Sequence, residues 1–180
     1  LLSADRDLAF KLRYLTSGRE TVDRSQIGLY FHDEAPARQL RTVMLEKPEL
    51  NIPANAANHI ETLRSEPLTQ DARLESYSPH AHSRGKSMNL TATYPDGRQE
   101  SQINVANFNY NWQLDYRAAA EKLLPAGTVL TAETVYDNSS SNPFNANPDQ
   151  SLDASYSDQS EMFVHFVRIS ESLRDAARTP

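Results

Sequence analysis

Short apolar runs and two-residue alternation of apolar and polar positions, separated by turn residues, recur along this chain and predict strands. Leu8 to Tyr14 sets Leu8, Phe10, Leu12 and Tyr14 against Lys11 and Arg13, the pattern of a half-buried strand. Further strands are predicted at Gln26–Phe31, Thr42–Leu45, Ile60–Leu63, Arg73–Tyr77, Met88–Tyr94, Gln102–Val105, Trp112–Tyr116, Thr128–Tyr136 and Met162–Ile169. Asp96-Gly97 inside Tyr94–Arg98 marks a tight hairpin turn, and Leu124–Thr128 a turn entering the longest strand. Asn138–Asp149, rich in Asn, Ser and Pro, reads as a long loop, and Glu171–Arg178 as a short surface helix. Many short strands with little helix imply an all-β, jelly-roll-like antiparallel β-sandwich. No repeat or linker interrupts the chain, so a single domain over 1–180 is expected.

Composition narrows the function classes. At 180 residues, 38% hydrophobic and a formal charge of −6, the chain is an ordinary acidic domain without the basic face that nucleic-acid binding needs. No apolar run approaches the roughly 18 residues of a membrane-spanning helix. The first residues, Leu1-Leu2-Ser3-Ala4-Asp5, lack the basic and long apolar regions of a signal peptide and read as a cut end. There is no cysteine, which removes disulfides, thiolate metal sites and thiol catalysis. Any metal would be held by His, Met, Asp, Glu or backbone oxygen.

His80-Ala81-His82 is the most informative tripeptide. On a strand, residues two apart point to the same side, so both imidazoles can reach one metal ion. Without context, such a pair more often serves as surface or hydrogen-bonding residues, and a lone Met in Glu161-Met162-Phe163-Val164 is normally core packing.

The surrounding residues supply context. Pro79-His80-Ala81-His82-Ser83-Arg84-Gly85-Lys86 resembles the Pro-His-x-His-x-Arg-Gly-Lys segment of the type II copper, ascorbate-dependent monooxygenases, the peptidylglycine α-hydroxylating and dopamine β-monooxygenase family. The similarity continues in order through Asn109–Gln113, Leu124–Thr128, Tyr136–Ser139, Asn142-Pro143 and Asp158–Met162, the last resembling the family's Glu-Met pair. It runs from about Leu12 to Phe166. The resemblance implies the second, C-terminal lobe of a two-lobe enzyme, with copper as cofactor and His80, His82 and Met162 as its ligands. It also implies O2 and a C–H substrate, ascorbate or another donor of electrons, a partner domain or protein to deliver them, and a periplasmic or secreted location. The chemistry agrees: two imidazoles and a thioether form a fairly soft set suited to both copper oxidation states, and three protein ligands leave a position open. Met88, six residues past His82, is the competing thioether, expected instead in the core.

Three departures limit the expectation. The family's electron-transfer copper takes a His from a His-Tyr pair that matches Arg13-Tyr14 here, and arginine cannot ligate copper. His32 reads as a surface residue, His59 as a distant candidate near the metal and His165 as structural, so no substitute cluster forms. The family's substrate carboxylate clamp, an Arg before His-x-His and a Tyr and Asn after the Met, is replaced by Tyr77-Ser78-Pro79 and Phe163-Val164-His165, which speaks against a glycine-extended peptide substrate. Arg84, Gly85 and Lys86 are expected to shape the backbone, with Gly85 permitting a bend. Tyr110 and Trp112 are expected in the core, and Asp137 and Asn138 at a turn. Asn89-Leu90-Thr91 and Asn138-Ser139-Ser140 match the glycosylation sequon. Three functions remain: a copper monooxygenase domain, a non-catalytic copper-binding or electron-transfer module, and a jelly-roll interaction domain with a vestigial site.

Overall fold

The computed structural model describes all residues except 1–6, 11, 13, 15, 16, 156, 158 and 174–180. The chain divides into two units, Leu1–Pro36 and Ala37–Pro180. The first contains no strand among its described residues. Gln26–Phe31, apolar enough to suggest a strand, is unpaired, with Ile27, Leu29, Tyr30 and Phe31 exposed. The described residues of Leu8–Tyr14 are likewise outside any strand, because period-two patterning forms a strand only where a neighbouring ladder takes up its backbone groups. Arg13 lies outside the described residues.

The second unit is the sandwich. Its strands are β1 (Arg38–Glu46), β2 (Asn51–Ile52), β3 (His59–Arg64), β4 (Ala72–His80), β5 (Gly85–Thr93), β6 (Gln99–Val105), β7 (Tyr116–Leu124), β8 (Val129–Tyr136), β9 (Leu152–Asp153) and β10 (Val164–Ser172). Two four-stranded antiparallel sheets, ordered β1-β10-β4-β7 and β3-β8-β5-β6, are accompanied by the small β2-β9 pair. Setting β2 and β9 aside, the first long strand pairs with the last, the second with the seventh, the third with the sixth and the fourth with the fifth. That is a long hairpin rolled into two sheets, the connectivity of a jelly roll.

Exposure alternates strictly along β8, and along β5 from Ser87 onward, the two central strands of their sheet. Leu90, Ala92, Leu130, Ala132 and Tyr136 from that sheet meet Leu74, Tyr77, Val167 and Ile169 from the other, all of them buried. Each large aliphatic side chain buried there contributes about 1.5–3 kcal/mol. Gly97 turns the β5–β6 hairpin at φ 84°, as its Asp-Gly sequence requires.

Several boundaries differ from the sequence reading. Trp112–Tyr116 is not a strand; the chain enters β7 only at Tyr116 and continues to Leu124, through an Ala-rich stretch with no two-residue signal. Glu171 and Ser172, expected to open a helix, close β10, and the remainder of that segment up to Arg178 lies almost wholly outside the described residues. No helix among the described residues is long and apolar enough to cross a membrane.

Candidate metal centre

β4 ends at His80, and its register with β10 sets which way the histidine points. His80 pairs with Val164 and Ser78 with Phe166, while the intervening Pro79 pairs with His165 and Tyr77 with Val167. Tyr77, Pro79 and His165 are buried toward the second sheet, so His80 and Val164 lie on the opposite, outer face. Counting back two residues from Val164 puts Met162 on that outer face as well. The half-buried Met162 between buried Glu161 and Phe163 fits this alternation.

His82 lies beyond the strand, yet the two rings still meet. Their centroids are 5.5 Å apart and their planes cross at 86°. Each ring is fixed through Nδ1. The Nδ1–H of His80 donates to the Gln113 side-chain oxygen at 2.6 Å, and that amide is itself oriented because its Nε2 donates to the Tyr110 carbonyl at 2.9 Å. The Nδ1–H of His82 donates to the Ser160 carbonyl at 3.0 Å. A carbonyl oxygen only accepts, so the neutral form of each ring carries its proton on Nδ1 and its lone pair on Nε2. This is the hydrogen bonding that orients histidine for a metal ion. His82 is 4% exposed and packs edge-on against Tyr110, with ring centroids 5.7 Å apart.

Glu161 organises the turn beneath the pair. It is fully buried, and its two carboxylate oxygens accept the backbone N–H groups of His82 and Arg84, each at 2.7 Å. The oxygen that takes His82 also takes the N–H of Met162 at 3.2 Å, so the His82 and Met162 backbones lie side by side. Burial pushes the Glu161 carboxyl up, and the three N–H donors oppose that rise by favouring the carboxylate. The Met162 carbonyl accepts from the Tyr136 hydroxyl at 2.7 Å, which ties this segment to β8. Met162 and Val164 also line a cleft of about 300 Å³ with Pro48 and Phe163. His80 and His82 are thus joined through their rings, and Met162 joins them through the backbone.

Other expected roles change. Gly85 does not adopt a positive φ, so it is not there to permit a bend; a Cβ at this position would lie 2.9 Å from Phe108 and 3.0 Å from Ala81. Glycine is needed because Phe108 sits directly on the backbone. Trp112, expected in the core, is 67% exposed. The sequon Asn138 is wholly buried, its amide donating to the Pro53 and Gln150 carbonyls, which makes it a loop brace and not a glycan acceptor in the folded chain. Met88 is a core residue and His32 is exposed. His59 faces Glu61 at 2.7 Å. Gln113 and Glu161 stand in the motifs quoted above without a role assigned to them. For Glu161 a signal existed: it falls on the inward phase of Glu161, Phe163, His165, Val167 and Ile169, where an acid must find donors.

His165 lies in the core beneath the site, bonded through Nδ1 to the Tyr77 hydroxyl at 2.5 Å and through Nε2 to Thr134 at 2.8 Å. Burial holds its pKa down at about 3, against an ordinary 6.5. The unfolded chain therefore takes the proton first, and between pH 6.5 and 3 this residue costs stability as the pH falls, about 1.4 kcal/mol per unit. Urea unfolding at pH 7 and pH 4.5 should show the native protein losing about 2–3 kcal/mol more than His165→Gln over that interval. Equal losses would remove His165 as the source.

Among the described residues no three His, Asp, Glu or Cys side chains gather into a metal-binding group, so a third protein ligand beside the histidine pair would have to be of another kind. No protein-family model and no curated protein matches the chain. Among solved structures, one described as "Structure of infectious bursal disease virus Gt strain" is similar over 74% of this chain at 6% identity with a TM-score of 0.38. The chain spans 38% of the length of that one. A likeness of this degree carries no functional argument.

Proposed function

We propose that this chain is a mononuclear copper-binding domain resembling the C-terminal lobe of the ascorbate-dependent monooxygenases, with His80 and His82 as nitrogen ligands and Met162 as the thioether ligand. One observation carries the reading: both imidazoles have Nδ1 tied to a carbonyl oxygen and their ring centroids lie 5.5 Å apart, which leaves Nε2 of each neutral ring as its ligating nitrogen. The donor set fits copper, since imidazole suits either oxidation state and a thioether favours the reduced one. Copper bound there would supply the one-electron chemistry by which O2 is activated for C–H hydroxylation.

The chain's own residues do the rest of the work. Gln113 and Ser160 hold the two rings in the ligating tautomer, and Glu161 keeps the His82 and Met162 backbones together. Tyr110 covers one side of His82 and reduces the access of water. A single copper passes one electron at a time, so ascorbate or a partner protein completes the reduction. Oxygen uptake driven by ascorbate should require both one equivalent of copper and an added C–H substrate. Uptake that ignores the substrate would identify a copper module without hydroxylase activity, and a chain that takes up no copper would leave a jelly-roll interaction domain.

A further inference from the structure

Two residues beyond His82, Arg84 is only 4% exposed, and no carboxylate pairs with it among the described residues. Its Nε–H donates to the Asn145 side-chain oxygen and its Nη1 to the Ser83 hydroxyl, each at 3.2 Å, while Nη2 bonds to no described residue. A buried cation is ordinarily paired, because removing a charge from water is expensive unless an opposite charge replaces the water. Arg84 is held in place all the same, its backbone N–H on Glu161 and its carbonyl accepting from the N–H of Asp137 at 2.8 Å.

Arg84 is one of the residues lining a cleft of about 370 Å³, the size of a small organic ligand's site. Its walls include Phe108, Tyr110, Pro143 and Phe144, and Phe144 is 63% exposed. Lys86 stands on the rim with its ammonium on Asn58 at 2.7 Å. Asp137 also lines the cleft, but one of its oxygens is occupied by the N–H and hydroxyl of Ser139. Tyr110 belongs both to this wall and to the packing of His82, so the cleft adjoins the histidine pair.

We infer that this cleft binds a small organic acid, its carboxylate against Arg84 and its hydrocarbon body against Phe108, Pro143 and Phe144. Guanidinium presents parallel N–H groups that match a carboxylate, and the aromatic walls match an apolar body. Calling the acid a substrate rests on the copper reading; the binding site itself does not.

The test uses the full chain without metal and phenylacetate as probe, followed by calorimetry or NMR. Saturable binding is expected, weaker by about tenfold or more for phenylacetamide, which keeps the shape and lacks the charge. Arg84→Met should lose a similar factor. Phe144→Ala, at an exposed position that leaves folding intact, should weaken phenylacetate severalfold and leave acetate unchanged. Equal affinity for phenylacetate and phenylacetamide on the native chain, or no saturable binding, overturns the inference, and that comparison needs no variant to fold. Inorganic phosphate binding as tightly as phenylacetate would replace the organic acid by a phosphate ligand and overturn it too. A copper titration on the same preparation separates the two readings: a chain that binds phenylacetate and no copper keeps the acid site and loses the monooxygenase.

Discussion

His82→Ala is expected to lower the proposed copper affinity by at least about 100-fold, measured by competition against a chelator of known strength. Losing a residue that merely orients a ligand costs roughly 10–100-fold, and losing one of two imidazole ligands costs more. Alanine keeps the backbone N–H on Glu161 and gives up the ring's bond to the Ser160 carbonyl and its packing on Tyr110, so circular dichroism of the variant checks its fold alongside. Gln113→Ala is the companion experiment. It removes the acceptor that fixes the His80 tautomer and should cost about tenfold or more, with no change in stoichiometry. Unchanged affinity in His82→Ala would place any bound copper elsewhere.

Glu161→Ala carries the largest expected loss of stability. Three backbone N–H groups, from His82, Arg84 and Met162, would lose their acceptor in a fully buried place. At about 1–3 kcal/mol for each donor left unsatisfied, the expected cost is about 3–9 kcal/mol, read by urea unfolding. Glu161→Gln should fall between the native protein and the alanine variant. His82 and Arg84 use different oxygens of the carboxylate, so the amide serves one of them and turns an N–H toward the other. A loss below about 1 kcal/mol in Glu161→Ala would mean that water replaces the carboxylate.

The strands that pack on both sides of the core were plain from the sequence. Met88–Tyr94 and Thr128–Tyr136 became β5 and β8 with shifts of a few residues, because alternation is strongest where one face is buried throughout. The failures came where burial and period part company. β7 exposes five of its nine residues and places alanines at its centre, so nothing in its sequence marks a strand. Ile27–Phe31 has the apolar run without a ladder to join. At the site, the meeting of the two rings was expected from strand spacing, although His82 lies beyond β4, and the residues that orient them were not legible. Gln113 is more than thirty positions from His80, and the Ser160 carbonyl nearly eighty from His82; only the fold brings them together. Arg84 showed the reverse: its place in the motif suggested a backbone role, and only its burial without an ion pair among the described residues drew attention to it beside a cleft.

X-ray absorption at the copper edge tests the central claim most directly. The protein loaded with one equivalent and reduced should show two imidazole nitrogens and one sulfur scatterer. Met162→Ala should lose the sulfur and keep the nitrogens, while His82→Ala should lose an imidazole. A spectrum without sulfur would remove Met162 from the site, and an imidazole count untouched by His82→Ala would contradict a copper centre built on His80 and His82.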